Sequence, residues 1–294
     1  LSKSMITEEF GRWGSRELCP GMEIPSVSIE WPAISENPLV TIYVPAYNCE
    51  DYIIESIESG LSQTYKNVEV CVHDDGSTDN TLRKIKRKYR FNRRVRISTA
   101  PNGGIGFASN SSIKNGRGEL ILQLDSDDII HPEALENLLP LMRDGAVCAY
   151  GSFNRIDPSG SKIDDGWDWP IYSQARLLRS MIVHHPRLFR RDAWEMVGGF
   201  DEELENAVDY DFFLRLSEVG GMKHLSKKLY SYRIHKTSTS QDRTDVQTRN
   251  TYVVQQSALD RMGLEDFTNY APNPSFPRRI HYIFSAFLNR EVHK

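Results

Sequence analysis

The chain has 294 residues, a formal net charge of −4, 39% hydrophobic and 26% charged residues, the composition of a soluble globular protein with a sizeable core. Its acidic balance argues against nucleic-acid binding. Its four cysteines (Cys19, Cys49, Cys71 and Cys148) form no CxxC pair, which points away from zinc and disulfide frameworks and toward a reducing, cytoplasmic compartment.

No apolar run is long enough to span a bilayer, and no signal-peptide pattern opens the chain. Attachment at the inner face of the cell membrane is therefore expected only through missing regions or partners. Residues 1–37, with Pro20, Pro25 and Pro32, read as an N-terminal extension. The start at Leu1 rather than Met fits a piece of a longer polypeptide. Leu39 to Val44 is a β-rich run closed by Pro45, a first core strand followed by Ala46-Tyr47-Asn48 and a helix through Ile53, Ile57 and Leu61. Val68 to Val72 is a second strand running into His73-Asp74-Asp75-Gly76-Ser77-Thr78-Asp79, where Ser77 or Asp79 can cap the next helix. The basic run from Arg83 to Arg96 sets Leu82, Ile85 and Tyr89 on one side and reads as the wet face of an amphipathic helix. Val95 to Ile97 is a third strand, followed by Asn102-Gly103-Gly104 and a small-residue helix to Asn115.

Leu120 to Leu124 is a fourth buried strand, and it ends in Asp125-Ser126-Asp127-Asp128. Acids clustered at a strand end repel one another unless a cation neutralises them, and Mn²⁺ or Mg²⁺ takes such oxygen ligands. The competing reading is a solvated turn that caps the helix near Pro132. Strand alternating with helix predicts a mostly parallel central sheet flanked by helices. Three strand ends loaded with polar groups make a nucleotide crevice the natural expectation. Neither a GxGxxG nor a GxxxxGK[ST] loop is present, which counts against dehydrogenase and P-loop chemistry.

Further along, Ala146 to Phe153 reads as a strand and Asp157-Pro158-Ser159-Gly160 as a turn. Helices are expected near Ala193 to Val197 and Phe212 to Leu216, and Leu229 to His235 reads as a last strand. Residues 241–294 read as a mostly helical extension.

The ordered pieces Val44-Pro45-Ala46-Tyr47-Asn48, Asp74-Asp75-Gly76-Ser77, Asn102-Gly103-Gly104, Asp125-Ser126-Asp127-Asp128, Gly198-Gly199-Phe200-Asp201 and Asp209-Tyr210-Asp211 resemble the inverting, nucleotide-sugar-dependent glycosyltransferases of family two, which have the GT-A fold. The likeness covers residues 38–240, a single nucleotide-sugar-binding domain. One departure is Val208, where the family usually has Glu. Met181 to His185, Glu205 to Asp211 and Leu216 to Gly220 look most like the glucuronate-transferring domain of bacterial chondroitin polymerases, which shares that departure.

The resemblance implies a metal-dependent inverting enzyme of polysaccharide synthesis with a UDP-sugar donor, UDP-glucuronate foremost, and a glycan acceptor. It leaves room for a second glycosyltransferase domain in the same polypeptide. By carry-over, Pro45, Tyr47, Asn48, Asn102, Gly103 and Ser126 line the nucleotide site, Asp75 accepts the uracil N3 hydrogen, and Asp125 sits near the ribose. Asp127 ligates Mn²⁺, His235 completes the metal shell, and Asp209 is the general base. Asp211 is the alternate base, or a carboxylate favoured by a helix N-terminus. His184 and His185 are expected at the donor sugar, Arg187 at a glucuronate carboxylate, and Trp169 against acceptor rings. The rival readings are another nucleotide-sugar donor, such as UDP-N-acetylgalactosamine, UDP-galactose or a rhamnosyl nucleotide, and a non-catalytic UDP-binding module.

Overall fold

A computed structural model describes residues 29–166, 172–235 and 244–264. Strand β1 (Val40–Ala46) is buried along its whole length, as is β2 (Val68–Asp74). Their polar residues are buried too, and Thr41 Oγ1 donates to Glu69 Oε1 across the pair at 2.9 Å. Helix α1 (Ile53–Leu61) turns Ile53, Ile57 and Leu61 inward, and α2 (Thr81–Tyr89) does the same with Thr81, Ile85 and Tyr89. The expected amphipathic helix is therefore present. The N-cap residue, Asn80, makes no side-chain cap bond, and Asp79, just before it, accepts the Thr81 amide on Oδ1 at 2.9 Å.

Beyond β3 (Val95–Thr99), the small residues of α3 (Gly104–Lys114) allow the helix to lie close on the sheet. Ser112 Oγ accepts from the Val44 amide at 3.2 Å and donates to the Cys71 carbonyl. Strand β4 (Leu120–Gln123) then enters beside β1. Strand β5 (Ile129–Ile130) and helix α4 (Ala134–Met142) follow, then β6 (Cys148–Ile156) and β7 (Lys162–Asp164). After them come α5 (Gln174–Arg179), β8 (Arg187–Arg190) and α6 (Arg191–Met196). The last elements are α7 (Val208–Val219), β9 (Met222–Arg233) and α8 (Thr244–Arg261).

The strands form one sheet in the order β3-β2-β1-β4-β8-β6-β9-β5, with β7 on β6. Strands β1 to β4 pair in parallel as the alternation predicted. The other half is mixed: β8 lies antiparallel between β4 and β6, while β9 runs parallel to β6. Sequence reading did not find β8, because Arg-Leu-Phe-Arg has two charges in four residues and no alternation typical of a half-exposed strand. It also started β9 too late, at Leu229 rather than Met222.

This topology brings the C-terminal ends of β1, β2, β4, β6 and β9 to one edge, together with the N-terminal end of the reversed β8. One core lies on each side of the sheet. Ile53, Ile57, Leu135 and Leu138 belong to one, and Phe189, Phe212, Phe213 and Leu214 to the other. Among the described residues no helix is long and apolar enough to cross a membrane.

Gly118, just before β4, shows how tightly the central strands pack. Its amide donates to Thr41 Oγ1 at 2.8 Å, and a Cβ there would overlap the Thr41 backbone nitrogen. Gly118→Ala is expected to lower unfolding free energy by about 1–3 kcal/mol, read from denaturant melts.

Candidate active site

At the end of β2, Asp75 is buried, and its two carboxylate oxygens accept the amides of Gly103 (2.9 Å) and Gly104 (3.0 Å). Gly104 has φ +89°, a conformation that side chains rarely adopt, and it lets successive amides face one carboxylate. Asn102 Nδ2 donates to the Asp75 carbonyl at 3.1 Å. Asn48, at φ +48°, accepts the Thr78 amide at 2.8 Å and so ties the end of β1 to the loop after β2. Pro45 is buried opposite His73, and Tyr47 projects with half its surface exposed. Pro45, Tyr47, Asn48, Asp75, Asn102 and Gly103 thus belong to one braced pair of loops.

The acidic turn after β4 is held from β9. Arg233, itself buried, donates from Nε to the Asp127 carbonyl (2.7 Å), from Nη1 to the carbonyls of Asp157 and Pro158, and from Nη2 to Glu55 (2.7 Å). Its backbone amide donates to Asp128 Oδ1 at 2.7 Å. Asp128 therefore does not cap the following helix. It is buried and anchors the end of β9, with burial and then the neighbouring Asp127 and Asp125 charges pushing its carboxyl well above the usual range. Burial, followed by the charge of Asp127, pushes Asp125 up to about 6. The Asp125 amide donates to the Tyr230 hydroxyl at 3.0 Å, and Ser126 lies beside the Cys49 thiol.

Asp127 Oδ2 and His235 Nε2 converge to 2.7 Å. Among the described residues no three His, Cys, Asp or Glu side chains gather around one point. The pair nonetheless fits a divalent cation of the Mn²⁺ type, since a hard carboxylate and an imidazole meet beside two further acids that a cation would neutralise. Any remaining ligands would come from a bound anion and water.

On the other side of the crevice, Asp209 lies in the first turn of α7, after Ala207 at φ +61°. The residue before the helix is thus held in a conformation uncommon for anything but glycine. Asp209 Oδ1 accepts the Tyr210 amide at 2.8 Å, and Oδ2 faces Arg187 Nη2 at 3.0 Å. Arg187 is only 3% exposed, against 42% for the Asp209 side chain. The same guanidinium donates from Nε to the Val183 carbonyl (2.7 Å) and from Nη1 to Gln123 Oε1 (3.0 Å), and packs over the Phe213 ring. Gln123 Nε2 in turn donates to Asp125 Oδ1 at 3.1 Å. A continuous chain, Asp209–Arg187–Gln123–Asp125, therefore crosses the floor of the crevice. Arg187 thus pairs with the chain's own base candidate at the place where a donor carboxylate was expected.

His185 stacks on Tyr230 (centroids 4.7 Å apart) with Nε2 3.4 Å from Asp125 Oδ2, and burial followed by Arg187 holds it well below its usual range, as a neutral imidazole. His184 lies edge-on to Phe153. Asp211 is not brought to the crevice: it is buried and bound by Arg215 Nε at 2.9 Å, whose Nη1 also holds the carbonyls of Val197 and Gly199. It stands in the first turn of α7, the helix-terminal position that was the other expectation for it. Trp167 and Trp169 lie outside the described residues. Gln123, Tyr230 and Arg233 were missed. Gln123 is marked only as the polar end of an apolar strand, and Tyr230 and Arg233 stand in a strand of mixed lysine, serine and apolar residues that does not single them out.

A family model described as Glycosyl transferase family 2 matches residues 41–199. The chain is 43% identical over 272 residues to a hyaluronan synthase of Pasteurella multocida, which covers 92% of this chain and 28% of that protein. It is 44% identical over 246 residues to a chondroitin synthase of Escherichia coli, covering 83% of this chain and 36% of that protein. It thus spans about a third of the length of these relatives. Among solved structures, S. aureus TarS 1-349 in complex with UDP-GlcNAc superposes with a TM-score of 0.64 at 24% identity, over 75% of this chain and 65% of that one, a likeness of fold.

Arg233→Met is expected to cost about 3 kcal/mol, since it strands buried carbonyls and frees the acidic turn. A fall in the urea midpoint with little change in slope would register it. An unchanged midpoint would show that the clamp contributes nothing.

Proposed function

The chain belongs to glycosyl transferase family 2, has the GT-A fold and is a glycosyltransferase; on that premise we propose that it transfers a sugar from a UDP-linked donor to a glycan hydroxyl with inversion, as part of a polysaccharide synthase. The observation that carries this reading is the Asp209 carboxylate, anchored on one oxygen by buried Arg187 yet open to the crevice, on the same hydrogen-bonded floor as Asp125.

Asp209 takes the proton of the acceptor hydroxyl as its oxygen attacks the anomeric carbon from the face opposite the leaving diphosphate. Arg187 fixes the direction of that carboxylate, which matters because misplacement of a reacting group by an ångström is costly. Asp75, with its orientation set by Gly103 and Gly104, faces the uracil, and Asp125 the ribose. Asp127 and His235 would hold a Mn²⁺-type cation, which supplies charge neutralisation for the departing diphosphate when bound. The donor reading favours UDP-glucuronate and rests on the likeness of residues 181–185, 205–211 and 216–220. The similar match to a hyaluronan and a chondroitin synthase supports a polymer-building role.

A donor panel with Mn²⁺ tests these assignments. Asp209→Asn is expected to lower kcat by about 10²–10⁴-fold, with donor KM little changed. Asp127→Ala is expected to abolish the metal dependence. UDP release from a UDP-sugar other than UDP-glucuronate would overturn the donor assignment, and full activity of Asp209→Asn would overturn the base. Arg187→Met should reduce kcat by about 10–100-fold while UDP binding, followed calorimetrically, stays near wild type.

A further inference from the structure

Residues 80–118 contain eleven lysines and arginines and no acidic residue, within a chain of net charge −4. Part of this charge is spent inside the fold. Lys84 pairs with Glu50 at 3.3 Å, Lys88 with Glu58 at 2.8 Å, and Arg96 with Glu69 at 3.0 Å, while Arg94 donates to the Leu61 carbonyl. Arg83, Lys86, Arg87, Arg90 and Arg93 are exposed and reach no carboxylate among the described residues. The first four stand at the i, i+3, i+4 and i+7 positions of α2 and its end, so they share one side of the helix, opposite buried Thr81, Ile85 and Tyr89. Like charges at such spacing repel one another unless an anionic surface lies against them.

Phe91 closes the row. It is 85% exposed, more than any other large hydrophobic residue described, and the Arg90 guanidinium sits 4.6 Å from its ring centre. The turn carrying it joins α2 to β3, the edge strand, at the end of the sheet away from the crevice.

We propose that the outward face of α2, with Phe91 at its tip, docks the protein on an anionic membrane surface. Clustered cations at one side with an exposed ring beside them suit the boundary between acidic headgroups and acyl chains, which takes up both. A soluble acidic glycan would satisfy the cations alone, and the row leads away from the crevice in which a glycan would be extended. Attachment in this manner leaves the crevice facing the aqueous side. It uses this domain's own surface rather than other regions or partners.

The test is flotation of the full chain with vesicles of phosphatidylcholine, with and without phosphatidylglycerol. Wild type is expected to bind only the anionic vesicles, more weakly as salt rises. The triple variant Arg83→Glu, Lys86→Glu, Arg87→Glu should lose about a hundredfold or more in affinity. Its melting temperature and its transfer to a soluble acceptor should be unchanged, since these side chains touch neither core nor crevice. Phe91→Ala should weaken binding about fivefold, and this loss should persist at high salt. Equal binding to neutral vesicles, no binding by wild type, or full affinity in the triple variant would overturn the proposal. So would tighter binding to a soluble acidic oligosaccharide than to vesicles with Phe91→Ala without effect, which would assign the face to a glycan.

Discussion

The ion pair between Arg187 and Asp209 is the contact on which the rest of the crevice depends. A buried guanidinium is costly unless its donors are satisfied. Here they are met by three groups at once: a carboxylate on α7, a carbonyl just before β8 and the Gln123 amide at the end of β4. Each partner fixes one direction of a planar fork, so the carboxylate opposite has little freedom left. The reversed strand β8 makes this possible, because only an antiparallel strand between β4 and β6 puts its first residue at the crevice edge.

A second arginine does the same on the opposite side. Arg233 closes β9 as Arg187 opens β8, and both put buried positive charge beneath a surface dense in carboxylates. Asp125, Asp127, Asp128, Asp209 and Glu55 would repel one another strongly in so small a space. The two guanidiniums offset part of that repulsion. Neutral His185, stacked on Tyr230, adds packing at the centre without adding charge.

What could be read from the sequence divides along a physical line. The loops after β1, β2 and β4 were legible because their polar residues are consecutive and follow apolar runs, and the helical faces of α1 and α2 because their spacing is regular. Strand β8 and the partners of Arg187 and Arg233 were not, since nothing local distinguishes a buried arginine from an exposed one. Asp128 and Asp211 show the converse. Each belongs to a motif whose neighbours face the crevice, yet one holds Arg233 and the other is held by Arg215. Short motifs give residue type; tertiary contacts decide which way each side chain turns.

The separations along the chain carry a consequence for assembly. Asp75 meets Gly103 across 28 residues, whereas Arg187 meets Gln123 across 64, and Arg233 meets Asp128 across 105 and Glu55 across 178. Closing longer loops costs more entropy, and non-local pairings form slowly. The β1–β4 half can therefore gather early, with its acids still uncompensated, while both arginine clamps close only once β8 and β9 have entered the sheet. Competence for chemistry thus arrives with the last strands, so a partly folded chain would retain every motif and still lack a functioning site.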